Sequence, residues 1–224
     1  MNVFAARLKQ LAGESGAKAF GIADLDWLRG ENPDLLQRVA GDYARAVVLG
    51  IRLQRAALEG IVDRPTPIYF HHYRQVNYAL DRLALRVADE IEDAGYRALA
   101  IPASQIIERV PMSGHVSHRL LGWAAGIGFI GRHNLLVHPE FGARMRYVSV
   151  LTDMPLRPDS PGEGSCGACR ACIAACPAGA IQERREDFDA AACEAKLAEF
   201  RRLPFIGQHV CGVCVKACAG GTNG

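Results

Sequence analysis

All eight cysteines of this 224-residue chain lie between residues 166 and 218, and they constrain its fold most. Four of them form the run C-x2-C-x2-C-x3-C, and Pro177 follows at once. This spacing is typical of bacterial ferredoxins, in which the fourth cysteine of the run ligates the other of two clusters. A single cysteine and a second run, C-x2-C-x3-C, complete the eight thiolates that two [4Fe–4S] clusters require.

Crossed ligation assigns four cysteines to each cluster. The first set is Cys166, Cys169, Cys172 and Cys218. The second set is Cys176, Cys193, Cys211 and Cys214. The sequence therefore predicts a protein that transfers electrons one at a time.

Two other interpretations of the cysteines agree less well with the chain. A disulfide framework needs an oxidising compartment, and nothing in residues 1–16 supports export because charged residues interrupt the apolar ones. We therefore expect a cytoplasmic protein. Zinc usually takes two C-x2-C pairs or adds histidines, whereas three cysteines at successive x2 gaps favour an iron–sulfur cluster.

Composition narrows the class of protein and its partners. The chain is 50% hydrophobic and 22% charged, which is typical of a soluble globular protein with one domain or one domain and a small appendage. No apolar run approaches the ~18 residues of a membrane span. A formal net charge of +2 without a long basic block argues against nucleic acid as the main partner. Two clusters imply a low-potential electron donor of the ferredoxin or flavodoxin type.

The hydrophobic pattern predicts an α/β fold up to about residue 155. Strands are expected at 17–23, 45–53, 96–101, 135–138 and 145–152, and helices at 3–12, 75–94 and 115–125. A segment rich in proline and glycine over 155–164 then marks a linker. We expect an α/β domain over 1–157 and a two-cluster ferredoxin-like domain over 158–224. The second domain is too short for much apolar core, so the clusters must stabilise it.

Residues 126–131 match the dinucleotide-binding pattern G-x-G-x-x-G literally. That site requires a strand before the glycines and a helix after them, and here the predicted order is reversed. The glycines instead predict a tight loop between a helix and a strand, whose backbone approaches a flat or anionic ligand. A purely structural turn is the alternative.

Several histidines are candidates for contact with a ligand or a proton. His71 and His72 stand among aromatic residues before the predicted long helix, where they could contact a cofactor or cap the helix. His115 and His118 share one helix face if the helix begins at His115, and either could donate protons near neutral pH. A structural role is the alternative for each pair.

Arg144 and Arg146 flank Met145 just before a predicted strand. Alternation along a strand places the two guanidinium groups on one side. Such a pair suits a phosphate, a carboxylate or a ligand rich in amides. Exposure to solvent is the alternative.

Three segments, taken together with the cysteine pattern, resemble epoxyqueuosine reductases. They are residues 125–132, 135–137 and 150–156, and the resemblance covers about residues 65–218. It extends to the single Cys193, which follows Phe-Asp-Ala, and to the Ile-Gly pair before the last cysteine run.

The resemblance implies a nitroreductase-like α/β domain that binds cobalamin, with a two-cluster ferredoxin-like module beside it. Reductive dehalogenases are related. In such proteins the clusters supply electrons to the corrinoid, which reduces the substrate. The expected cofactor-binding residues here are Gly126, Gly128, Gly131, Arg132 and Arg144, and we expect their site to face the cysteine module.

The chain also departs from the family pattern. Met112 stands where family members have an acidic proton donor, and His118-Arg119 replaces Glu-Arg. The usual Gly-Lys-Asn of the glycine loop is Gly-Arg-His here, and the chain ends soon after Cys218. We therefore expect a relative with another substrate or a reductase of a corrinoid elsewhere, in which His115 or His118 supplies the proton. The alternative is an electron-transfer protein that docks on a partner.

Overall fold

A computed structural model describes residues 3–32, 36, 38–109 and 112–220, with only the backbone of Arg109 and Met112. Within these residues the helices are α1 (Val3–Glu14), α2 (Leu25–Glu31), α3 (Arg55–Glu59), α4 (Pro67–Asp93), α5 (His118–Ala124), α6 (Ala171–Ala175), α7 (Ala190–Phe200) and α8 (Val213–Ala217). The strands are β1 (Ala19–Asp24), β2 (Arg45–Arg52), β3 (Ala98–Ile101), β4 (Glu108–Arg109), β5 (Met112–Ser113), β6 (Phe129–Ile130), β7 (Leu136–Val137) and β8 (Met145–Thr152). The predicted α/β class is confirmed.

The main sheet has the strand order β1-β2-β8-β3. β1 pairs with β2 in the antiparallel sense, with Ala19 opposite Gly50, and β3 pairs with β8 in the same sense, with Ala98 opposite Thr152. The central strands β2 and β8 are buried along most of their length, as their continuous apolar sequences require. β8 has the predicted bounds, and β2 ends one residue earlier than expected.

The long helix α4 begins at Pro67, eight residues before the predicted start. Proline is tolerated there because the first helical residue needs no N–H donor. His71 and His72 therefore lie inside the helix rather than before it. The end is as predicted: Gly95 has a φ of +86°, and the N–H of Tyr96 donates to the carbonyl of Ile91.

Helix α5 begins three residues later than expected. The hydroxyl of Ser117 accepts a hydrogen bond from the N–H of Leu120 and so caps the helix, which starts at His118. His115 lies before the cap, so the expectation that His115 and His118 share one helix face is wrong.

The chain divides into two compact units, and both are discontinuous in sequence. The first contains residues 1–52, 77–128 and 146–163 and includes nearly all of the main sheet. The second contains residues 53–76, 129–145 and 164–224. The expected domains 1–157 and 158–224 differ from these units, because residues 53–76 and 129–145 pack with the cysteine segment.

None of the described helices combines the length and the apolarity that crossing a bilayer demands.

Candidate functional site

The two short helices α6 and α8 carry the C-x3-C part of each cysteine run and pack against each other. Cys172 lies inside α6 and Cys176 is its C-cap. Cys214 lies inside α8 and Cys218 is its C-cap. Each helix thus offers two thiols one turn apart, a separation of about 5–6 Å between Cβ atoms.

The first thiol group contains Cys166, Cys169, Cys172 and Cys218. The pKa of Cys172 is raised to about 11, first by burial and then by Cys166, Cys218 and Cys169. Burial also raises the pKa of Cys218, with smaller increases from Cys166 and Cys169. These four thiols therefore lie within electrostatic reach of one another.

The second thiol group contains Cys176, Cys193, Cys211 and Cys214. Burial raises the pKa of Cys211 to about 11, with smaller increases from Cys193 and Cys176. Burial likewise raises the pKa of Cys214, and Cys211, Cys193 and Cys176 are the next causes, followed by Cys172 of the first thiol group. Cys193 lies in α7, and its pKa is raised first by burial and then by Cys176. The division of the eight cysteines by crossed ligation stays a prediction.

All eight thiols are free, with no disulfide among them. A single tetrahedral ion with metal–sulfur bonds of about 2.3 Å would draw its sulfurs to roughly 3.8 Å from one another. Among the described residues, no three or more His, Cys, Asp or Glu side chains are arranged to hold one ion. In a four-iron cluster each cysteine binds a different iron, so the four sulfurs surround a larger core.

The chemistry of the donor set fits two clusters. Each group supplies four thiols, and burial raises the pKa of Cys172 and Cys218 in the first group and of Cys193, Cys211 and Cys214 in the second. A bound metal removes the thiol proton and offsets the cost of a buried thiolate. The assignment of the eight cysteines as ligands stays a prediction.

Two glycines within residues 129–145 let the backbone of this segment lie close to the first thiol group. A Cβ on Gly131 would lie 3.4 Å from Sγ of Cys166 and 2.9 Å from a methyl of Val137. A Cβ on Gly142 would lie 2.3 Å from the carbonyl oxygen of Cys218. Side chains at either position would displace the cysteine backbone or sulfur.

The predicted arginines each bind backbone or amide oxygens of this chain. Arg132 donates to three carbonyls of the cysteine segment, and Arg144 donates to the carbonyl of Lys216 at 2.8 Å. Arg146 donates to Oδ1 of Asn77 at 3.0 Å and to the carbonyl of Ala103 at 3.1 Å. The two arginines thus bind different acceptors, which alternation along a strand does not reveal, and a shared anion site stays a prediction.

Gly126 and Gly128 lie under residues 159–162 of the same unit. Gly126 has a φ of +71°, and a Cβ there would lie 2.8 Å from the carbonyl oxygen of Ser160. A Cβ on Gly162 would lie 2.1 Å from the carbonyl oxygen of Gly128. Residues 159–162 thus cross over the glycine loop, and Trp123 holds this crossing in place. Its indole N–H donates to the carbonyl of Gly162 at 3.0 Å, and its carbonyl accepts the N–H of Gly162 at 2.7 Å. These contacts favour the structural interpretation of the two glycines.

His118 is held as a neutral imidazole. Its Nε2 lies 3.0 Å from the carbonyl oxygen of Pro102, which can only accept, so Nε2 carries the proton. Its Nδ1 then accepts from the hydroxyl of Ser149 at 2.9 Å. Burial lowers the pKa of His118 to about 4. The expectation that His118 is protonated near neutral pH is not met.

His115 differs from His118, because its buried Nδ1 has no hydrogen-bond partner among the described residues. His72 lies in α4, and its Nε2 accepts the N–H of Gln54 at 2.9 Å. His133, which the sequence reasoning did not propose, is buried, and burial lowers its pKa to about 4. His133 stands where the resembling family has the asparagine of Gly-Lys-Asn, and this difference is the signal that could have identified it.

A groove of about 470 Å³ lies in the second unit. Its lining residues are Phe70, Arg74, Leu203, Phe205, Ile206, Gly207 and Gln208. Phe205 is 83% exposed and has a φ of +67°, which is uncommon for a residue other than glycine. None of the predicted site residues lines this groove.

Comparison with known proteins gives relatives that are longer than this chain. No protein-family model matches. Epoxyqueuosine reductase from Synechococcus sp. (strain CC9605) is 36% identical over 114 residues, which are 50% of this chain and 32% of that protein. Epoxyqueuosine reductase from Aliivibrio fischeri (strain ATCC 700601 / ES114) is 31% identical over 156 residues, 66% of this chain and 39% of that protein. The chain thus spans well under half the length of these curated relatives.

Solved structures show the same relationship at the level of the fold. A catabolic reductive dehalogenase in complex with 3-bromo-4-hydroxybenzoic acid has a TM-score of 0.71 and 22% identity, covering 94% of this chain and 31% of that one. Epoxyqueuosine reductase from Streptococcus thermophilus has a TM-score of 0.56 and 18% identity, covering 97% of this chain and 66% of that one.

The crossing over the glycine loop predicts that Gly162→Ala is destabilising. The added methyl would meet the carbonyl oxygen of Gly128, and overpacking of this kind costs about 1–3 kcal/mol. The matched control is Gly13→Ala in α1, where a Cβ meets nothing within 4 Å. The urea midpoint of unfolding should fall for Gly162→Ala and stay equal or rise for Gly13→Ala. Equal midpoints for Gly162→Ala and the wild type would contradict this packing.

The contacts of His118 predict that its imidazole stays neutral from pH 8 to pH 5. Burial opposes the charged form, and both ring nitrogens are already bonded. NMR of the ring Cε1–H, assigned with His118→Gln, should show titration only below about pH 5. A midpoint between 6 and 7 would restore His118 as a proton donor at neutral pH.

Proposed function

Since this chain is an epoxyqueuosine reductase-like protein, we propose that it is an oxidoreductase that passes electrons through two [4Fe–4S] clusters to a bound acceptor. On the strength of the resemblance, we propose cobalamin as this acceptor. The observation that carries the proposal is the packing of α6 against α8, since each of these helices carries the C-x3-C part of one cysteine run. This arrangement supports a two-cluster ferredoxin-like module.

The first thiol group would hold one cluster and the second thiol group the other. Such clusters supply one-electron transfer at low potential. The chain's own residues contribute the environment: buried thiols exclude water, and Gly131 and Gly142 let the backbone lie close to Cys166 and Cys218. A low-potential ferredoxin or flavodoxin in the cytoplasm would be the electron donor.

Support for cobalamin comes from the relatives and not from the five residues expected to contact it. The structure of one related reductive dehalogenase suggests a mechanism for B12-dependent dehalogenation. Here Gly126 and Gly128 contact residues 159–162, and Arg132 and Arg144 donate to carbonyls of the cysteine segment. No step is therefore assigned to a corrinoid, and contact of the five residues with cobalamin stays a prediction.

His115 is the candidate proton donor in this proposal. Its buried Nδ1 has no partner among the described residues, and it can hold a proton for a small-molecule substrate. His118 is less suitable because both of its nitrogens are bonded and its pKa is lowered to about 4.

A second candidate function is electron transfer to a partner redox protein without a substrate of its own. The exposed Phe205 favours it, because an aromatic side chain held out at a positive φ beside a groove suits protein docking. Arg74 lines the groove, and the exposed Arg201 and Arg202 precede it in the chain. This charge suits an acidic partner.

We expect the protein, prepared without oxygen, to hold about eight iron and eight sulfide per chain. Cys193→Ala should leave one cluster with three protein thiolates and convert it to a labile or three-iron form, while the other cluster stays intact. Iron and sulfide analysis with EPR spectroscopy checks both statements. Iron near four per chain in the wild type, stoichiometric zinc, or an unchanged spectrum in Cys193→Ala would contradict the ligand assignment.

The nature of the acceptor is tested by adding hydroxocobalamin to the reconstituted protein under anaerobic conditions. If the chain carries its own corrinoid, cobalamin should elute with the protein in gel filtration at about one per chain, with a changed visible spectrum. A chain that fails to retain cobalamin while both clusters are present supports the second candidate function. The same chain without clusters is the control.

A further inference from the structure

One guanidinium group holds the loop between the first two cysteines. Nε of Arg132 donates to the carbonyl of Glu183 at 2.6 Å, Nη1 to that of Cys169 at 2.8 Å, and Nη2 to that of Gly167 at 2.9 Å. Glu183 lies beyond the first cysteine run, so Arg132 joins two parts of the cysteine segment. Arg132 itself is half-buried.

We propose that Arg132 is a positioning residue that fixes the Cys166–Cys169 loop and raises the reduction potential of the cluster held by the first thiol group. This inference rests on the proposed function, because it requires that cluster. Arg132 follows Gly131, and because Gly131 has no side chain, Sγ of Cys166 can lie close to its backbone. Two consecutive residues therefore contact the Cys166–Cys169 loop.

The first physical effect is the orientation of peptide groups. In a trans peptide the C=O and the N–H point in opposite directions. Because Arg132 binds the carbonyls of Gly167 and Cys169, the N–H groups of Ala168 and Arg170 point away from it. Backbone donors near cluster sulfurs and their exposure to solvent both affect the potential, so a loop with fixed peptides gives a fixed potential.

The second effect is charge. Electron uptake makes a cluster more negative, and a nearby cation stabilises the reduced form. The neighbouring Arg170 is paired with the carboxylate of Glu183 at 2.5 Å. The three acceptors that Arg132 binds are neutral carbonyls, so none of these three hydrogen bonds cancels its charge.

Lysine cannot reproduce this arrangement. The guanidinium is a planar fork with five donors, whereas the lysine ammonium is a compact charge at the end of a flexible stem. The usual Gly-Lys-Asn of the resembling family has arginine here. Arg132→Lys keeps the charge and loses the bridge to three carbonyls, whereas Arg132→Gln loses both.

The experiment compares Arg132→Lys, Arg132→Gln and wild type after anaerobic reconstitution. An EPR-monitored redox titration gives the potential of each cluster, and the signal of the first is identified by its loss in Cys169→Ala. The rate of iron loss to a chelator reports how firmly the loop is held. The matched control is Arg184→Gln, which removes an exposed arginine paired with Asp187 in the same segment.

We expect Arg132→Gln to shift the first cluster to a more negative potential and to lose iron several-fold faster. Arg132→Lys should lose iron almost as fast but show a smaller shift in potential. The second cluster in both variants, and both clusters in Arg184→Gln, should match wild type.

The inference is overturned if Arg132→Gln matches wild type in potential and iron loss, or if both clusters shift equally. It is also overturned if Arg132→Lys matches wild type in iron loss, since the bridge would then have no role. If the wild type takes up no clusters at all, the proposed function is wrong as well. If the wild type takes up both clusters and only the expected effects of the Arg132 variants are absent, the inference about Arg132 alone is wrong.

Discussion

The cost of burying thiols governs the second unit. Burial is the main cause of the raised pKa of Cys172, Cys211 and Cys214, so each is unfavourable as a thiolate until a metal offsets its charge. The cysteine segment has few large apolar residues in its interior, and the short helices α6 and α8 would be marginal alone. Metal binding and folding of this unit should therefore be strongly coupled.

The surrounding chain is shaped by the same requirement. Residues 53–76 and 129–145 pack with the cysteine segment although they precede it by many residues. Tyr69 lies against Gly212, the N-cap of α8, where a Cβ would come within 2.4 Å of its ring. Lys216 donates to the carbonyls of Glu59 and Ile61 and so ties α8 to the segment after α3.

The sequence predicted the parts that follow from local chemistry. The bounds of β8 and the end of α4 just before Gly95 depend on spacing or on one residue's conformation, whereas the two ligand sets of cysteines stay a prediction. The start of α4 was missed because proline at a first helical position resembles a helix breaker. The glycine loop was predicted to approach a ligand or to be a structural turn. Gly126 and Gly128 lie close to residues 159–162, and G-x-G-x-x-G could not reveal this because it indicates only that something comes close. The partners of Arg132 and Arg144 and the interleaved units depend on contacts between distant segments, which spacing does not encode.

Crossed ligation is the central claim, and it can be tested with two single variants. Each of the helices α6 and α8 carries one cysteine of each thiol group, one turn apart. EPR spectroscopy of reduced Cys218→Ala should show the first cluster altered and the second unchanged, and Cys176→Ala should show the reverse. If Cys218→Ala instead alters the cluster that depends on Cys211 and Cys214, each run holds its own cluster and the account is wrong.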